Sequence, residues 1–334
     1  MDSNAFPDLN ALRTEAHVVS LPMRVKFRGI LHREALLLRG PAGWGEFSPF
    51  PEYDDGESVP WLAAAVEAAW WGYPDPVRPT VPVNATVPAV GPEQVEGILA
   101  RFGAVSAVKV KVAERGQTVA DDLARVAEVR RLLPKAGIRV DANGGWDVPT
   151  AVGALESLAE AGLEYAEQPV PEIAGLRAVR LELQRRGVPV LIAADESVRK
   201  ETDPLRVARE DAADLIVVKV APLGGVRRAL EIVAEAGLPA VVSSALDTSV
   251  GIRAGVALAA ALPELPYACG LGTLSLMAGD VTEESLVPDG GALAVREVPV
   301  AEPLLQRFAA APERRQWWLD RLDRVHAQLA ARQG

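Results

Sequence analysis

The sequence predicts an α/β protein whose centre is a closed parallel barrel, with an α+β cap made from both ends of the chain. From about residue 82 to residue 275, short apolar segments alternate with helical patterns rich in Ala, Leu, Arg and Glu. The segments recur after roughly 22 to 30 residues, as in a barrel of βα units. No glycine-rich dinucleotide-binding turn follows the first segment, which argues against an open doubly wound sheet.

Eight barrel strands are expected in a catalytic domain of residues 82–289. They are Val83–Val87, Ala107–Val112, Ile138–Asp141, Tyr165–Gln168, Val190–Ala193, Leu215–Val220, Ala240–Ser243 and Tyr267–Leu271. Helical stretches such as "TVADDLARVAEVRRLLP" and "LGGVRRALEIVAEAG" connect them, and Gly187 and Gly237 are placed to end two of the helices.

The two ends of the chain have different patterns. "EALLLRGPAGWGEF" predicts a β-hairpin that turns at Gly-Pro-Ala-Gly. "ESVPWLAAAVEAAWWG" predicts a helix capped by Ser58, and the last forty residues predict an amphipathic helix that contains Trp317 and Trp318. We therefore expect residues 1–81 to form a capping domain on which residues 290–334 pack.

Composition restricts the classes of function. The net charge is −10 and no basic run is present, so nucleic acid and anionic membranes are not expected as partners. The first ten residues lack the pattern of a signal peptide, and the single cysteine, Cys269, excludes an internal disulfide. These features predict a cytoplasmic protein with a small-molecule substrate. They do not set its oligomeric state, and a monomer is compatible with them.

Four charged residues stand where predicted strands end: Asp141, Glu167, Asp195 and Lys219. In a parallel barrel these ends share one rim, where active sites are built. Three carboxylates at one rim repel one another unless a cation neutralises them. Ligation by oxygen alone favours Mg²⁺ over Zn²⁺, and the middle of the chain contains no histidine.

Two lysines, Lys109 and Lys111, point to the same face of the strand "SAVKVKVAE". Taken alone, this pattern is more typical of an edge strand with a solvated face, just as a single strand-end Asp is more often a helix cap. Glu196 and Asp147 are open to similar local explanations. The coincidence of paired lysines with charged residues on four successive strand ends favours a catalytic site.

The ordered motifs of this rim resemble those of the enolase superfamily, in its muconate-lactonizing subgroup. They are Lys-x-Lys (109–111), Asp-x-Asn (141–143), Glu-Gln-Pro (167–169), Asp-Glu-Ser (195–197) and Lys219. "GWGEFSPFPEYDD" and "DANGGW" are most similar to the o-succinylbenzoate synthases of menaquinone biosynthesis.

The resemblance implies a fold, a metal and a set of roles. The fold would be a modified TIM barrel, (β/α)7β, with a capping domain. Asp141, Glu167 and Asp195 would ligate Mg²⁺, with Mn²⁺ as the alternative, and Asn143 and Glu196 would lie behind the ligands. Lys111 would be the catalytic base, with Lys109 beside it and Lys219 on the opposite face.

The implied reaction is a syn dehydration of the cyclohexadiene carboxylate SHCHC. Lys111 would remove the α-proton, the neighbouring hydroxyl would leave, and the ring would become aromatic. Nearby positive charge should lower the pKa of Lys111 enough for it to act as a base. Ser243, Ser244 and Gly270 are expected to contact the succinyl group, with ordinary packing as the alternative.

Three other functions are alternatives to this reaction. An N-acylamino-acid racemase or dipeptide epimerase would use Lys111 and Lys219 as two bases, and both are present, although "CGLGT" lacks the Asp-x-Asp pair usual in dipeptide epimerases. A Schiff-base aldolase would not require three carboxylates. A non-catalytic scaffold stabilised by metal would not require the complete catalytic set.

Overall fold

Two kinds of sheet organise this computed structural model, which describes residues 6–27, 30–198 and 203–333. The strands are β1 (Ala16–Phe27), β2 (Ile30–Gly40), β3 (Gly43–Phe47), β4 (Thr80–Pro82), β5 (Ala85–Val87), β6 (Ala107–Lys111), β7 (Gly137–Asp141), β8 (Leu163–Glu167), β9 (Leu191–Ala194), β10 (Leu215–Val218), β11 (Ala240–Val242) and β12 (Ala292–Ala294). The first three form an antiparallel sheet, whereas β5 to β11 form a parallel one.

Helices cover the outside of the parallel sheet and part of the antiparallel one. They are α1 (Leu9–Thr14), α2 (Asp55–Val66), α3 (Val95–Leu99), α4 (Val119–Leu132), α5 (Val148–Leu158), α6 (Ile173–Arg186), α7 (Asp203–Arg209), α8 (Val226–Ala236), α9 (Ser249–Ala261), α10 (Glu302–Arg307) and α11 (Pro312–Gln333). Within the described ranges, none of them is both long enough and apolar enough to cross a bilayer.

The parallel sheet follows chain order from β5 to β11, as expected for a barrel of βα units. The predicted eighth strand, 267–271, is wrong in extent. Only Cys269 and Gly270 pair, through single bridges to Val83 and Ser243. The Cys269 amide donates to the Pro82 carbonyl at 2.7 Å, and the Gly270 amide donates to the Val242 carbonyl at 2.8 Å. The chain then turns into a short 3₁₀ helix, so two residues close the barrel where five were expected.

Several helices between barrel strands have the ends that their local sequences indicate. Thr118 caps α4 in a capping box with Asp121. Gly187 and Gly237 end α6 and α8 with φ angles of 70° and 65°, a left-handed conformation that glycine adopts without steric cost. The predicted helical stretches are therefore confirmed.

The predicted hairpin is present as β2 and β3, which turn at Pro41 and Ala42. The predicted cap of the following helix is wrong, because α2 begins earlier, at Asp55. The Asp54 carboxylate accepts from the Glu57 amide at 2.8 Å and acts as the N-cap. Ser58 lies inside the first turn and donates to the Asp54 carbonyl at 2.7 Å.

The C-terminal helix α11 packs on α2 and β1, and its apolar side holds it there. Trp318 is fully buried, and its indole N–H donates to Glu34 of β2 at 2.9 Å. Before this helix, β12 pairs antiparallel with β4, so the tail also contacts the start of the barrel. We call β1–β3, α2 with its π-helical extension Glu67–Trp71, and α11 the cap.

Candidate active site

A cavity of about 560 Å³ lies between the mouth of the barrel and the cap. Ten of its lining residues were predicted as site residues from the sequence: Lys109, Lys111, Asp141, Asn143, Asp195, Glu196, Lys219, Ser243, Ser244 and Gly270. Glu167 is not among the lining residues but contacts Lys109, which is. The parallel strand ends have brought these residues to one rim, as the strand assignment required.

Lys109 lies among carboxylates in the interior of the barrel. Its Nζ atom lies 2.9 Å from Glu167 Oε1, 3.1 Å from Glu167 Oε2 and 3.3 Å from Asp141 Oδ2. β6 is paired on both sides, with β5 and β7, so it is not an edge strand. Only 8% of Lys109 is exposed, and the interpretation as a solvated lysine face is therefore wrong.

Lys111 extends further toward the cavity than Lys109. Its ammonium donates to Asp141 Oδ2, and to Asn143 Oδ1 at 2.7 Å. The Asn143 amide group donates in turn to Glu196 at 3.1 Å. Asn143 has a φ of 45°, a left-handed conformation that asparagine tolerates better than most residues. Lys111 is thus oriented by groups from the β7 and β9 ends.

Lys219 follows β10 and donates a hydrogen bond to Asp195 Oδ1, which follows β9. Three strands, β7, β8 and β9, separate β6 from β10 in the sheet. The side chains of Lys111 and Lys219 are each 18% exposed, so both reach the cavity. The two lysines therefore line the cavity from separate parts of the barrel wall.

The carboxylates of this cluster differ in pKa. Burial, together with the charge of Asp141, raises the pKa of Glu167 to about 8, although Lys109 opposes the shift. Burial would also raise the pKa of Asp141, but the charges of Lys111 and Lys109 hold it below its usual range. The pKa of Asp195 is lowered against its burial by Lys219 and Lys109.

The donor set fits a hard divalent cation in kind and in charge. Asp141, Glu167 and Asp195 are nearly fully enclosed, and their carboxylate oxygens are the hard ligands that Mg²⁺ prefers. Among the described residues, however, no group of three Asp, Glu, His or Cys side chains converges as in a metal site. Lysine ammonium groups contact the carboxylate oxygens instead, and Lys111 and Lys219 would have to turn toward the cavity when a cation binds.

Gln168 is a site residue to which sequence reasoning gave no role beyond its place in the Glu-Gln-Pro motif. It is fully buried and has a φ of 40°. Its side-chain oxygen accepts from the backbone amides of Asp195 and Ser197 at 2.9 and 3.2 Å. Its amide group donates to Ser197 Oγ at 2.8 Å. Gln168 thereby ties the end of β8 to the loop after β9, and so holds Glu167 and Asp195 next to each other.

The predicted substrate contacts form one wall of the cavity. Ser243 and Gly270 are bridged where the barrel closes, and Ser244 Oγ lies 2.6 Å from Thr273 Oγ1. A Cβ at Gly270 would lie 2.7 Å from Ser243 Oγ, so this position has no space for a side chain. Thr273 was not identified from the sequence, although it ends the quoted stretch "CGLGT".

The cap covers the cavity with aromatic residues that were not predicted individually. Phe50, Tyr53 and Trp61 stack edge to face, with ring centroids 5.6 to 6.4 Å apart. All three line the cavity with Pro60. The signal for Phe50 and Tyr53 was the stretch "FSPFPEYDD", which lies next to the hairpin but has no periodicity that would reveal its inward face. Trp61 lies in the predicted helix "ESVPWLAAAVEAAWWG".

Two family models match the chain. Residues 92–299 match the enolase C-terminal domain-like family, and residues 18–69 match the enolase N-terminal domain-like family. The first match covers the barrel from after β5 onward, and the second covers much of the cap.

The chain is also similar to proteins of known name. It is 54% identical to an o-succinylbenzoate synthase of Mycolicibacterium smegmatis, over 98% of this chain and all of that protein. It is 56% identical to the o-succinylbenzoate synthase of Thermobifida fusca, over 88% of this chain and 91% of that protein. With that of Mycobacterium tuberculosis it shares 53% identity over 97% of both chains.

Solved structures with the same fold include the muconate lactonizing enzyme of Pseudomonas putida and the 2-chloromuconate cycloisomerase of Rhodococcus opacus. Their TM-scores are 0.72 and 0.73, and both are 21% identical to this chain. Each comparison covers 89% of this chain and 98% of the other. At this identity the likeness shows the fold alone, a modified (β/α)7β barrel with an N-terminal capping domain.

Proposed function

We propose a reaction for this chain from one premise: it belongs to the enolase superfamily, in the o-succinylbenzoate synthase family of hydro-lyases. The proposed reaction converts SHCHC to o-succinylbenzoate and water. It breaks the C–H bond α to the ring carboxylate and the C–O bond of the neighbouring hydroxyl. The product would serve menaquinone biosynthesis in the cytoplasm.

The observation that carries this proposal is the placement of Lys111 and Lys219. Both reach one cavity, and both are held by carboxylates at the ends of parallel strands. Proton removal next to a carboxylate requires a base and stabilisation of the negative charge that develops on the carboxylate oxygens. A cavity with two lysines at separate strand ends can provide both, one as the neutral amine that accepts the proton and the other as an ammonium group that supplies positive charge.

We assign the α-proton to the Nζ atom of Lys111. Asn143 Oδ1 and Asp141 hold this atom at the cavity edge in the structure. With Asp141 bound to a cation, Asn143 would still direct the neutral amine toward the cavity. After proton removal, the same ammonium is placed to return a proton to the departing hydroxyl if both groups lie on one face of the ring. One lysine would then act as base and as acid.

We assign Lys219 the role of a fixed cation. It follows β10, with three strands between β10 and β6, so a ring bound between the two lysines would have its other face toward Lys219. An ammonium over the ring stabilises developing negative charge and contacts the π electrons. Asp195 accepts from this ammonium in the structure, and the ammonium would turn toward the cavity when Asp195 binds a cation.

We propose that Asp141, Glu167 and Asp195 bind Mg²⁺, with Mn²⁺ as an alternative. The ion would supply positive charge for the two oxygens of the substrate carboxylate. Asn143 and Glu196 would hold the ligands from behind, through the hydrogen bond between them. Ser243, Ser244 and Gly270, with the aromatic residues of the cap, would enclose the succinyl chain.

A racemase or epimerase of N-acylamino acids is the second candidate, because both lysines needed for two-base chemistry line the cavity. An assay of the purified protein with SHCHC and Mg²⁺, followed by absorbance as the ring aromatises, tests the first proposal. A parallel assay with N-acylamino acids, followed by optical rotation, tests the second. Efficient racemisation with negligible turnover of SHCHC would overturn our assignment.

A further inference from the structure

Glu67 is a cap residue whose side chain lies at the N-terminus of barrel helix α8. It is 4% exposed, and its carboxylate accepts from the backbone amides of Val226 and Arg227. The Arg227 guanidinium also donates to Glu67 Oε1, at 2.9 Å, and to the Gly72 carbonyl, at 2.7 Å. A carboxylate at this end of a helix satisfies free N–H groups and interacts favourably with the helix dipole.

Helix α8 cannot obtain this cap from its own sequence. Its N-cap position is Gly225, with a φ of 128°, and no side chain of its own loop caps it. A Cβ at Gly225 would lie 2.1 Å from Glu67 Oε2. The glycine therefore leaves space for a carboxylate that arrives from a position more than 150 residues earlier in the chain.

Glu46, on β3 of the cap, has the corresponding position at helix α9. Its Oε2 atom accepts from the Thr248 amide at 3.1 Å, the Thr248 hydroxyl at 2.6 Å and the Gly251 amide at 3.1 Å. Its other oxygen accepts from Ser48 at 2.8 Å. The cap thus supplies a buried carboxylate to each of two successive barrel helices.

The loops that precede these two helices carry cavity residues. The loop before α8 begins with Lys219 and contains Pro222, and the loop before α9 contains Ser243 to Leu246. Each loop is anchored at one end by its strand and at the other by the carboxylate from the cap. A shift at the helix end of so short a segment would move the cavity side chains at its start.

We infer that Glu67 and Glu46 are positioning residues, through which the cap sets the place of Lys219 and of the Ser243–Leu246 wall. The catalytic part of this inference rests on the proposed function, whereas the anchoring of the loops does not. Glu67 acts on the residue proposed as the fixed cation, so its loss should lower kcat. Glu46 acts on the wall proposed to hold the substrate, so its loss should raise KM.

The test compares Glu67→Gln with Thr118→Ala. Glutamine keeps the size of the side chain but replaces one acceptor oxygen with an NH₂ group. This donor would face the N–H donors at the start of α8 and could not accept hydrogen bonds from them. Thr118→Ala also removes the N-cap of a barrel helix, α4, but its loop does not line the cavity. We expect Glu67→Gln to lower kcat by about tenfold with a smaller change in KM, and Thr118→Ala to leave both near wild type.

Amide hydrogen exchange gives a readout that does not depend on activity. In Glu67→Gln we expect residues 219–227 to exchange about fivefold faster, with no change of this size there in Thr118→Ala. In Glu46→Gln we expect the same increase in residues 243–251, with KM raised about fivefold. If Glu67→Gln fails to fold, Glu46→Gln and its own loop still carry the test.

The outcomes separate the inference from the proposed function. If the wild type does not convert SHCHC but exchange rises in the two loops, the proposed function fails and the anchoring remains. If the wild type is active and both glutamine variants lose only thermal stability, with kcat, KM and loop exchange unchanged, the inference is overturned.

Discussion

The Nζ atom of Lys109 lies within 3.1 Å of both oxygens of Glu167, a carboxylate that is 1% exposed. Both side chains are inside the barrel, where the Lys109 ammonium favours the ionised form of Glu167 and each offsets part of the other's cost of desolvation. Two opposing effects act on the pKa of Lys109. Burial alone would lower this pKa, but the charges of Glu167 and Asp141 raise it well above its usual value. Lys109 therefore offsets negative charge in the carboxylate cluster at the rim, through its contacts with Glu167 and Asp141.

Replacement of Lys109 tests this balance. We expect Lys109→Met to lower the free energy of unfolding by about 3–5 kcal/mol, because it leaves buried carboxylates without their partner. Lys109→Arg keeps the charge and should lose less stability and retain some turnover. Urea unfolding and the SHCHC assay measure the two effects. Equal stability of Lys109→Met and wild type would contradict this account.

Lys111→Ala should reduce kcat by about 10³-fold or more, since this variant lacks the proposed base. Lys135→Ala is a matched control, because Lys135 is an exposed lysine outside the cavity. It should keep wild-type kinetics. Steady-state rates with SHCHC provide the measurement, and comparable activity of the two alanine variants would show that Lys111 is not the base.

Lys219→Arg separates a one-base from a two-base mechanism. The guanidinium is larger and differently placed, so we expect a large loss of synthase activity. Exchange of the α-hydrogen by Lys111 should still be detectable by NMR in deuterium oxide with a slowly reacting carboxylate analogue. If this exchange also disappears, Lys219 takes part in proton transfer.

Removal of the divalent cation should abolish turnover, and Mg²⁺ should restore it. Asp195→Asn should be inactive but folded, because Asp195 lies at the rim and not in the apolar core. The melting temperature of the wild type should rise with added Mg²⁺, whereas that of Asp195→Asn should rise less. Asp289→Asn, at an exposed aspartate, is the control. Normal activity of Asp195→Asn would contradict its assignment as a ligand.

The contact between the C-terminal helix and β2 should depend on pH. Burial would raise the pKa of Glu34, but hydrogen bonds from Arg314 and Trp318 lower it. A carboxyl group with a lowered folded-state pKa stabilises the protein above its unfolded pKa, and this contribution disappears as pH falls through the folded value. We therefore expect Arg314→Met to cost about 1–2 kcal/mol at pH 7 and progressively less below about pH 4.

Urea unfolding of Arg314→Met at several pH values measures this dependence. Arg315→Met removes an exposed neighbouring arginine and is the control, with little expected effect at any pH. A penalty for Arg314→Met that is the same at pH 3 and pH 7 would show that the ion pair with Glu34 is not its source.

The local sequence pattern was sufficient to predict the barrel strands and the charged residues at their ends. Asp141, Glu167, Asp195 and Lys219 each end or follow a short apolar run, so their positions on the rim follow from strand order alone. The eighth strand was overestimated, because its extent depends on how many residues find partners on the strands at either side. The cap of α2 was misplaced because Asp54 and Ser58 are both good capping residues and sequence does not rank them.

The sequence by itself determined the α/β barrel, the order of its strands and the carboxylates and lysines on its rim. These features depend on periodicity and on neighbours within a few residues. Only the tertiary structure decided that Gln168 joins two strand ends. It also decided that three aromatic residues of the cap close the cavity: Phe50, Tyr53 and Trp61. In the same way, it placed Glu46 and Glu67 at the N-termini of distant helices. These contacts join residues as far apart as 29 positions for Gln168 and more than 150 for Glu46 and Glu67. The physical reason is that a buried polar side chain must find a partner wherever the folded chain provides one, and its local sequence carries no information on which partner that is.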